Sequence, residues 1–136
     1  EMALISELNL HFVNNYFSHP DDALDPDRGA EMGWEKLKMH LGEYLEYLYT
    51  SAPCIRNFTG TELSAAVQRF CAVSVSKKVT KDKMSIKINN FYDEAQLFVR
   101  FNEKEPLKTN GGKLTHITGN LYLLEAKNET VEIALK

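Results

Sequence analysis

His19 is the residue best suited to chemistry in this chain. It opens the run His19-Pro20-Asp21-Asp22-Ala23-Leu24-Asp25-Pro26-Asp27-Arg28-Gly29. An imidazole next to carboxylates changes charge near neutral pH and can act as general acid or base. Asp21 and Asp22 are the nearest carboxylates in sequence, and either could orient the ring. The plainer alternative is a loop histidine among aspartates that cap turns. The four aspartates also raise a cation site, but the calcium-loop pattern of glycine at position six and glutamate at position twelve is missing. A solvated acidic loop, with Asp27 paired to Arg28, is the simpler expectation.

Other reaction types lack their residues. A hydrolytic metal centre needs about three His or carboxylate ligands. His11, His19, His40 and His116 are scattered, with no His-x-x-x-His and no His-Glu-x-x-His. This chain is therefore expected to hold no metal by itself. No Gly-x-Ser-x-Gly elbow occurs. Gly111-Gly112-Lys113 is too short for a phosphate loop and reads as a hairpin turn. Cys54 and Cys71 could form one disulfide in an exported protein, but two small buried thiols are the expected state.

The elements that would position His19 come next. Leu8, Leu10 and Phe12 alternate with Asn9, His11 and Val13, so a strand is expected to about Phe17. It is apolar on much of both faces, as in a strand covered on two sides. A helix follows from roughly Glu31 to Thr50. Trp34, Leu37, Leu41, Tyr44, Leu45 and Leu48 form its apolar stripe. Trp34 could stack on a sugar ring, although at this spacing it more simply joins the core. Thr59-Gly60-Thr61-Glu62 has capping-box spacing and starts a second, shorter helix.

From Cys71 the period changes to two. Val73 and Val75, then Met84, Ile86 and Ile88, then Leu97, Val99 and Phe101, then Leu121 and Leu123, then Val131, Ile133 and Leu135 mark five strands. With hairpin turns between them, five or six strands make a small antiparallel β-sandwich or open barrel. The expected class is α+β: residues 1–70 hold a strand, an acidic loop and two helices, and residues 71–136 hold the sandwich.

The chain has 136 residues, 43% of them hydrophobic, and a net charge of −3. That is enough apolar material for a core. The acidic balance argues against a nucleic-acid binder. No apolar run approaches the roughly 18 residues of a membrane span. The lysines at 77, 78, 81, 83 and 87 could meet an anionic polymer, or simply keep a hairpin wet and its edge unpaired.

Phe17-Ser18-His19-Pro20-Asp21-Asp22, then Gly33-Trp34-Glu35, then Ile55-Arg56-Asn57-Phe58-Thr59-Gly60 together resemble the last part of the barrel in bacterial polysaccharide-deacetylase-like proteins found with exopolysaccharide genes. The likeness covers about residues 8 to 70. It implies that residues 1–70 are the end of an α/β barrel and that the chain is a C-terminal fragment. The implied activity is metal-dependent removal of N-acetyl groups from a polysaccharide. His19 would be the general acid, with Asp21 or Asp22 beside it, and Arg28 and Trp34 would meet the substrate. The divalent metal would sit on an Asp and a His-x-x-x-His pair, which are absent here, in a missing N-terminal barrel of the same protein. The implied location is the cell envelope or the exterior. The alternative from a different class is a non-catalytic carbohydrate-binding or structural β-module, with Tyr92 and Tyr122 as exposed candidates.

Overall fold

The structure, a computed structural model, describes residues 19–28, 32–52 and 54–136. The strand expected over residues 8–17, and with it the barrel remnant, lies outside the described residues. The fold is α+β. Two helices, α1 (Gly33–Ser51) and α2 (Gly60–Ala72), precede seven strands. These are β1 (Ser74–Val79), β2 (Lys83–Asn89), β3 (Ala95–Arg100), β4 (Pro106–Asn110), β5 (Gly112–Thr118), β6 (Leu121–Ala126) and β7 (Thr130–Leu135). The chain divides into two compact units, residues 1–55 and 56–136. The division thus falls ahead of the residue-70 position expected from the change of period. The cause is α2, which is bonded to the strand unit.

In the first unit, Leu37, Leu41 and Tyr44 of α1 are half-buried and Leu48 is buried, as on the expected stripe, whereas Leu45 of the same stripe is exposed. Trp34 does not join that core; it is 61% exposed. It lies fourteen residues before Leu48, ~21 Å along the axis, in the first turn of the helix. Burial is concentrated at the other end.

In the second unit, the capping box forms as its spacing requires. Glu62 N–H donates to Thr59 Oγ1 at 3.4 Å, and Thr59 N–H donates to Glu62 Oε2 at 2.8 Å. Each satisfies a backbone donor that the helix start would leave open. The far end of α2 is tied to the β2–β3 connection. Arg69 donates through Nε and Nη2 to the two oxygens of Asp93, both at 2.6 Å. Asn90 Nδ2 donates to Ala72 O at 3.0 Å. Arg56 stands 3.5 Å from Glu94, and Lys127 stands 3.4 Å from the same carboxylate.

The strands form two antiparallel sheets, ordered β1-β2-β7-β4 and β3-β6-β5. Their inner faces share one core. Met84, Ile86, Ile88, Val131, Ile133 and Leu135 come from the first sheet, and Val99, Phe101, Leu124 and Ala126 from the second strand set and its end. Ile88, Leu124, Ile133 and Val131 are fully buried. Each such side chain contributes about 1.5–3 kcal/mol by leaving water.

Two strands, β4 and β5, add to the five marked by alternation. The β1–β2 and β5–β6 connections are hairpins. Gly111-Gly112 is not. Around it the chain leaves β4, paired to β7, and enters β5, paired to β6. It is the corner between the sheets. Gly111 has φ +86°, and a Cβ there would collide with the carbonyl oxygen of Thr130. Its own carbonyl accepts from the N–H of Lys127 and of Asn128 at 2.9 and 3.1 Å. Only glycine combines that conformation with that approach.

β1 is an edge strand with all six residues exposed. Lys77 pairs with buried Ile86, so it stands on the core-side face of its strand. A charge there discourages a further strand from adding. Both cysteines are free thiols; Cys71 is exposed and Cys54 half-buried, so neither is the buried thiol expected.

Candidate functional site

The loop carrying His19 is organised by its own backbone and by one arginine. His19 is exposed and extended (φ −89°, ψ 144°) and leads into a single 3-10 turn, Pro20–Ala23. Proline at the first position suits the start of such a turn, because its missing N–H would be unpaired there anyway. Asp22 N–H donates to His19 O at 3.1 Å, and His19 N–H donates to Asp22 Oδ2 at 3.0 Å. The two residues clasp each other through the turn.

The second oxygen of Asp22 accepts from Arg28 Nη1 at 2.7 Å. Arg28 Nε lies 3.7 Å from Asp25 Oδ2. Asp25 Oδ1 accepts from Asp27 N–H at 2.9 Å, an aspartate turn of the usual kind. Arg28 therefore pairs with Asp22 and Asp25, not with adjacent Asp27. The turn Asp25–Arg28, closed by Arg28 N–H to Asp25 O at 3.1 Å, carries the guanidinium back over the loop.

The electrostatics follow from these contacts. Arg28, then the backbone N–H of His19, hold the Asp22 carboxyl below the usual carboxylate range. Asp22 and Asp25 jointly raise Arg28 further above its already high value, Asp22 first. Asp22 remains ionised and has both oxygens engaged, so its work is to fix the loop. Asp21 is exposed, with its backbone carbonyl accepting from Leu24 N–H at 2.8 Å.

The structure thus brings together three of the five residues singled out in sequence: His19, Asp22 and Arg28. Asp21 is their chain neighbour. Trp34 is exposed at the start of α1. Among the described residues no three His, Cys, Asp or Glu side chains are grouped to hold a metal ion. Where a cation would balance Asp22 and Asp25, the Arg28 guanidinium already does so. These residues therefore do not fit a divalent metal.

Among the described residues, His40 and His116 have local partners. His40 Nδ1 lies 3.3 Å from Glu43 Oε2, and His116 Nε2 lies 2.9 Å from Gly119 O. In the second unit Tyr92 is 84% exposed. Tyr122 is instead half-buried, its ring edge-on to Phe101 and to His116 at 5.2 and 4.9 Å between centroids. It packs on the inner face of its sheet, which makes it a poorer candidate for a sugar platform than the exposed residue expected.

Two concavities in that unit had no signal in sequence. One of about 320 Å³ lies by α2 and the edges of β1 and β3, with Ala66, Phe70, Val73 and Leu97 in its wall. The other, of about 290 Å³, is polar and is lined by the β3–β4 connection, the Gly119-Asn120 turn and Tyr122. Both are assembled from segments far apart in the chain. Among the described residues no helix is long and apolar enough to cross a membrane.

Comparison with curated proteins and with solved structures finds no match to this chain. A family profile does match, over residues 1–123, and its description is "Uncharacterised protein conserved in bacteria (DUF2194)". With nine-tenths of its length covered by that match, the chain belongs to this bacterial family.

Proposed function

We propose that this chain is part of a metal-dependent polysaccharide deacetylase that modifies exopolysaccharide at the cell envelope or outside the cell. The observation that supports it best is the clasp between His19 and Asp22, braced by Arg28. It presents an exposed imidazole on a loop whose backbone is fixed by charge-assisted hydrogen bonds, which are stronger than neutral ones. The resemblance of the His-Pro-Asp-Asp run to the late barrel motif supplies the reaction class.

In this reading the His19 imidazolium gives its proton to the amide nitrogen as the C–N bond breaks, so the product leaves as an amine. General acid catalysis of this kind contributes about 10²- to 10⁴-fold. Asp22 and Arg28 position the backbone that carries the ring. Exposed Trp34 offers an aromatic face to a sugar of the substrate. In this reading the divalent metal would be held by residues outside those described, because Arg28 already balances Asp22 and Asp25.

The experiment is acetate release from an N-acetylated polysaccharide by the full-length protein with added divalent metal. Loss of release in His19→Ala, with the fold intact by circular dichroism, supports the proposal. Unchanged release removes His19 from the reaction.

A further inference from the structure

The two compact units differ in charge. Residues 1–55 carry ten Asp and Glu against three Lys and Arg, whereas residues 56–136 carry thirteen Lys and Arg against nine Asp and Glu. The net negative charge of the chain conceals a basic β unit. Four of those thirteen cations, Lys78, Lys83, Lys87 and Lys108, share one surface, the outer face of the sheet β1-β2-β7-β4.

Cross-strand partners share a face, so the register identifies the side chains on it. Ser76 pairs with Lys87 and Lys87 with Thr130; Lys78 pairs with Ser85 and Ser85 with Glu132; Lys83 and Lys108 both pair with Ala134; Asn110 pairs with Glu132. The buried residues of β2 and β7 alternate with these and point to the core. The outer face is therefore built from Lys, Ser, Thr, Asn, Ala and one Glu. Lys83 is neutralised by Glu132. Lys78, Lys87 and Lys108 have no carboxylate partner among the described residues.

Three features of this face define what it fits. Short Ser, Thr and Ala side chains stand between its lysines, so the charges are spread across four strands and not gathered in a pocket, which suits an extended chain better than a small molecule. Its charges recur along it: Lys83 and Lys87 stand ~13 Å apart on β2, and Lys78 is on the neighbouring strand. Its polar groups are hydroxyls and amides, which hydrogen-bond sugar hydroxyls. The face carries no aromatic ring for bases to stack on. It carries no arginine, whose planar fork suits phosphate.

We infer that the outer face of the β1-β2-β7-β4 sheet binds an extended acidic polysaccharide, with Lys78, Lys87 and Lys108 meeting its carboxylates and the neighbouring hydroxyls and amides meeting its sugar hydroxyls. The inference does not rest on the deacetylase proposal, since glycan binding without deacetylation leaves it standing.

The test is isothermal titration of the full chain with polygalacturonate at low and moderate salt, beside a neutral glucan, polyphosphate and single-stranded DNA. The expected result is binding of polygalacturonate that weakens as salt rises, with the glucan bound at least tenfold more weakly. Lys78→Gln, Lys87→Gln and Lys108→Gln together should lower the affinity at least tenfold, whereas Lys113→Gln, on the other sheet, leaves it unchanged. An unchanged circular dichroism spectrum shows that the triple variant is folded, and each single variant should show a part of the loss. No binding of polygalacturonate at low salt, or equal binding by the folded triple variant, overturns the inference. Polyphosphate or DNA bound as tightly as polygalacturonate overturns its assignment to a glycan.

Discussion

Arg69 and Asp93, 24 positions apart, meet as a fork on a carboxylate with both bonds at 2.6 Å. The pair fastens the last turns of α2 to the connection between β2 and β3. Asp93→Ala is expected to raise amide exchange in α2 and leave β7 protected. Arg69→Lys, with Asp93 in place, should keep only part of the protection, because an ammonium cannot make two parallel bonds to one carboxylate. Exchange followed by mass spectrometry reads both.

The core supplies a second prediction. Leu124 is fully buried between the sheets. Leu124→Ala should cost about 2–5 kcal/mol in a urea titration. Val79, 52% exposed at the end of edge strand β1, should change stability by no more than about 0.5 kcal/mol when replaced by alanine.

The sheet corner gives a third. At Gly111 a methyl group would strike Thr130 O, and φ is +86°. Gly111→Ala is expected to cost about 1–3 kcal/mol from the backbone alone, and more from the clash. Gly119 also has positive φ (+54°), but open space surrounds it. Gly119→Asn should be tolerated, since asparagine adopts that conformation more readily than most residues. The two urea midpoints compare the positions.

Acid should loosen the second unit in a definite direction. Arg69 holds the Asp93 carboxyl below its ordinary 3.8. The Thr59 cap holds Glu62 below its ordinary 4.5, and Lys136 does the same for Glu105. In each case the folded pKa is depressed, so the contribution is complete above the ordinary value. It fades as pH falls through the lower folded value. The urea midpoint should be level from pH 7 to about 5 and decline below about 4. All three groups are exposed, so the slope should be shallow. Asp93→Asn should flatten it further.

Much of this was legible where the cause is local. The Thr59–Glu62 box is a three-residue relation, and α2 starts where it says. Three of the five alternating runs, those of β2, β3 and β7, bury residues on their apolar phase; β1 is exposed throughout as an edge strand, and in β6 the buried residues are Leu124 and Ala126, on the phase opposite to Leu121 and Leu123. β4 and β5 were hidden because one starts on Pro106, the other starts on Gly112, and each is interrupted by a register shift. The corner at Gly111 depends on Thr130, nineteen residues on, so the glycine pair looked like an ordinary turn. Trp34 was placed on the apolar stripe by spacing, but spacing does not show which end of a helix is covered. In the loop the aspartates and arginine were visible, whereas their pairing was not. Arg28 reaches Asp22, six residues back, because the turn at Asp25–Arg28 folds it there.

The most direct test of the role given to His19 compares two leaving groups in the full-length protein. An amide needs a proton on its nitrogen to leave, whereas 4-nitrophenyl acetate expels a stable phenolate and needs none. His19→Ala should lower amide deacetylation by about 10²- to 10⁴-fold and leave ester cleavage within a few-fold of the parent. Equal losses on both substrates, or none on the amide, would contradict a proton donated by His19.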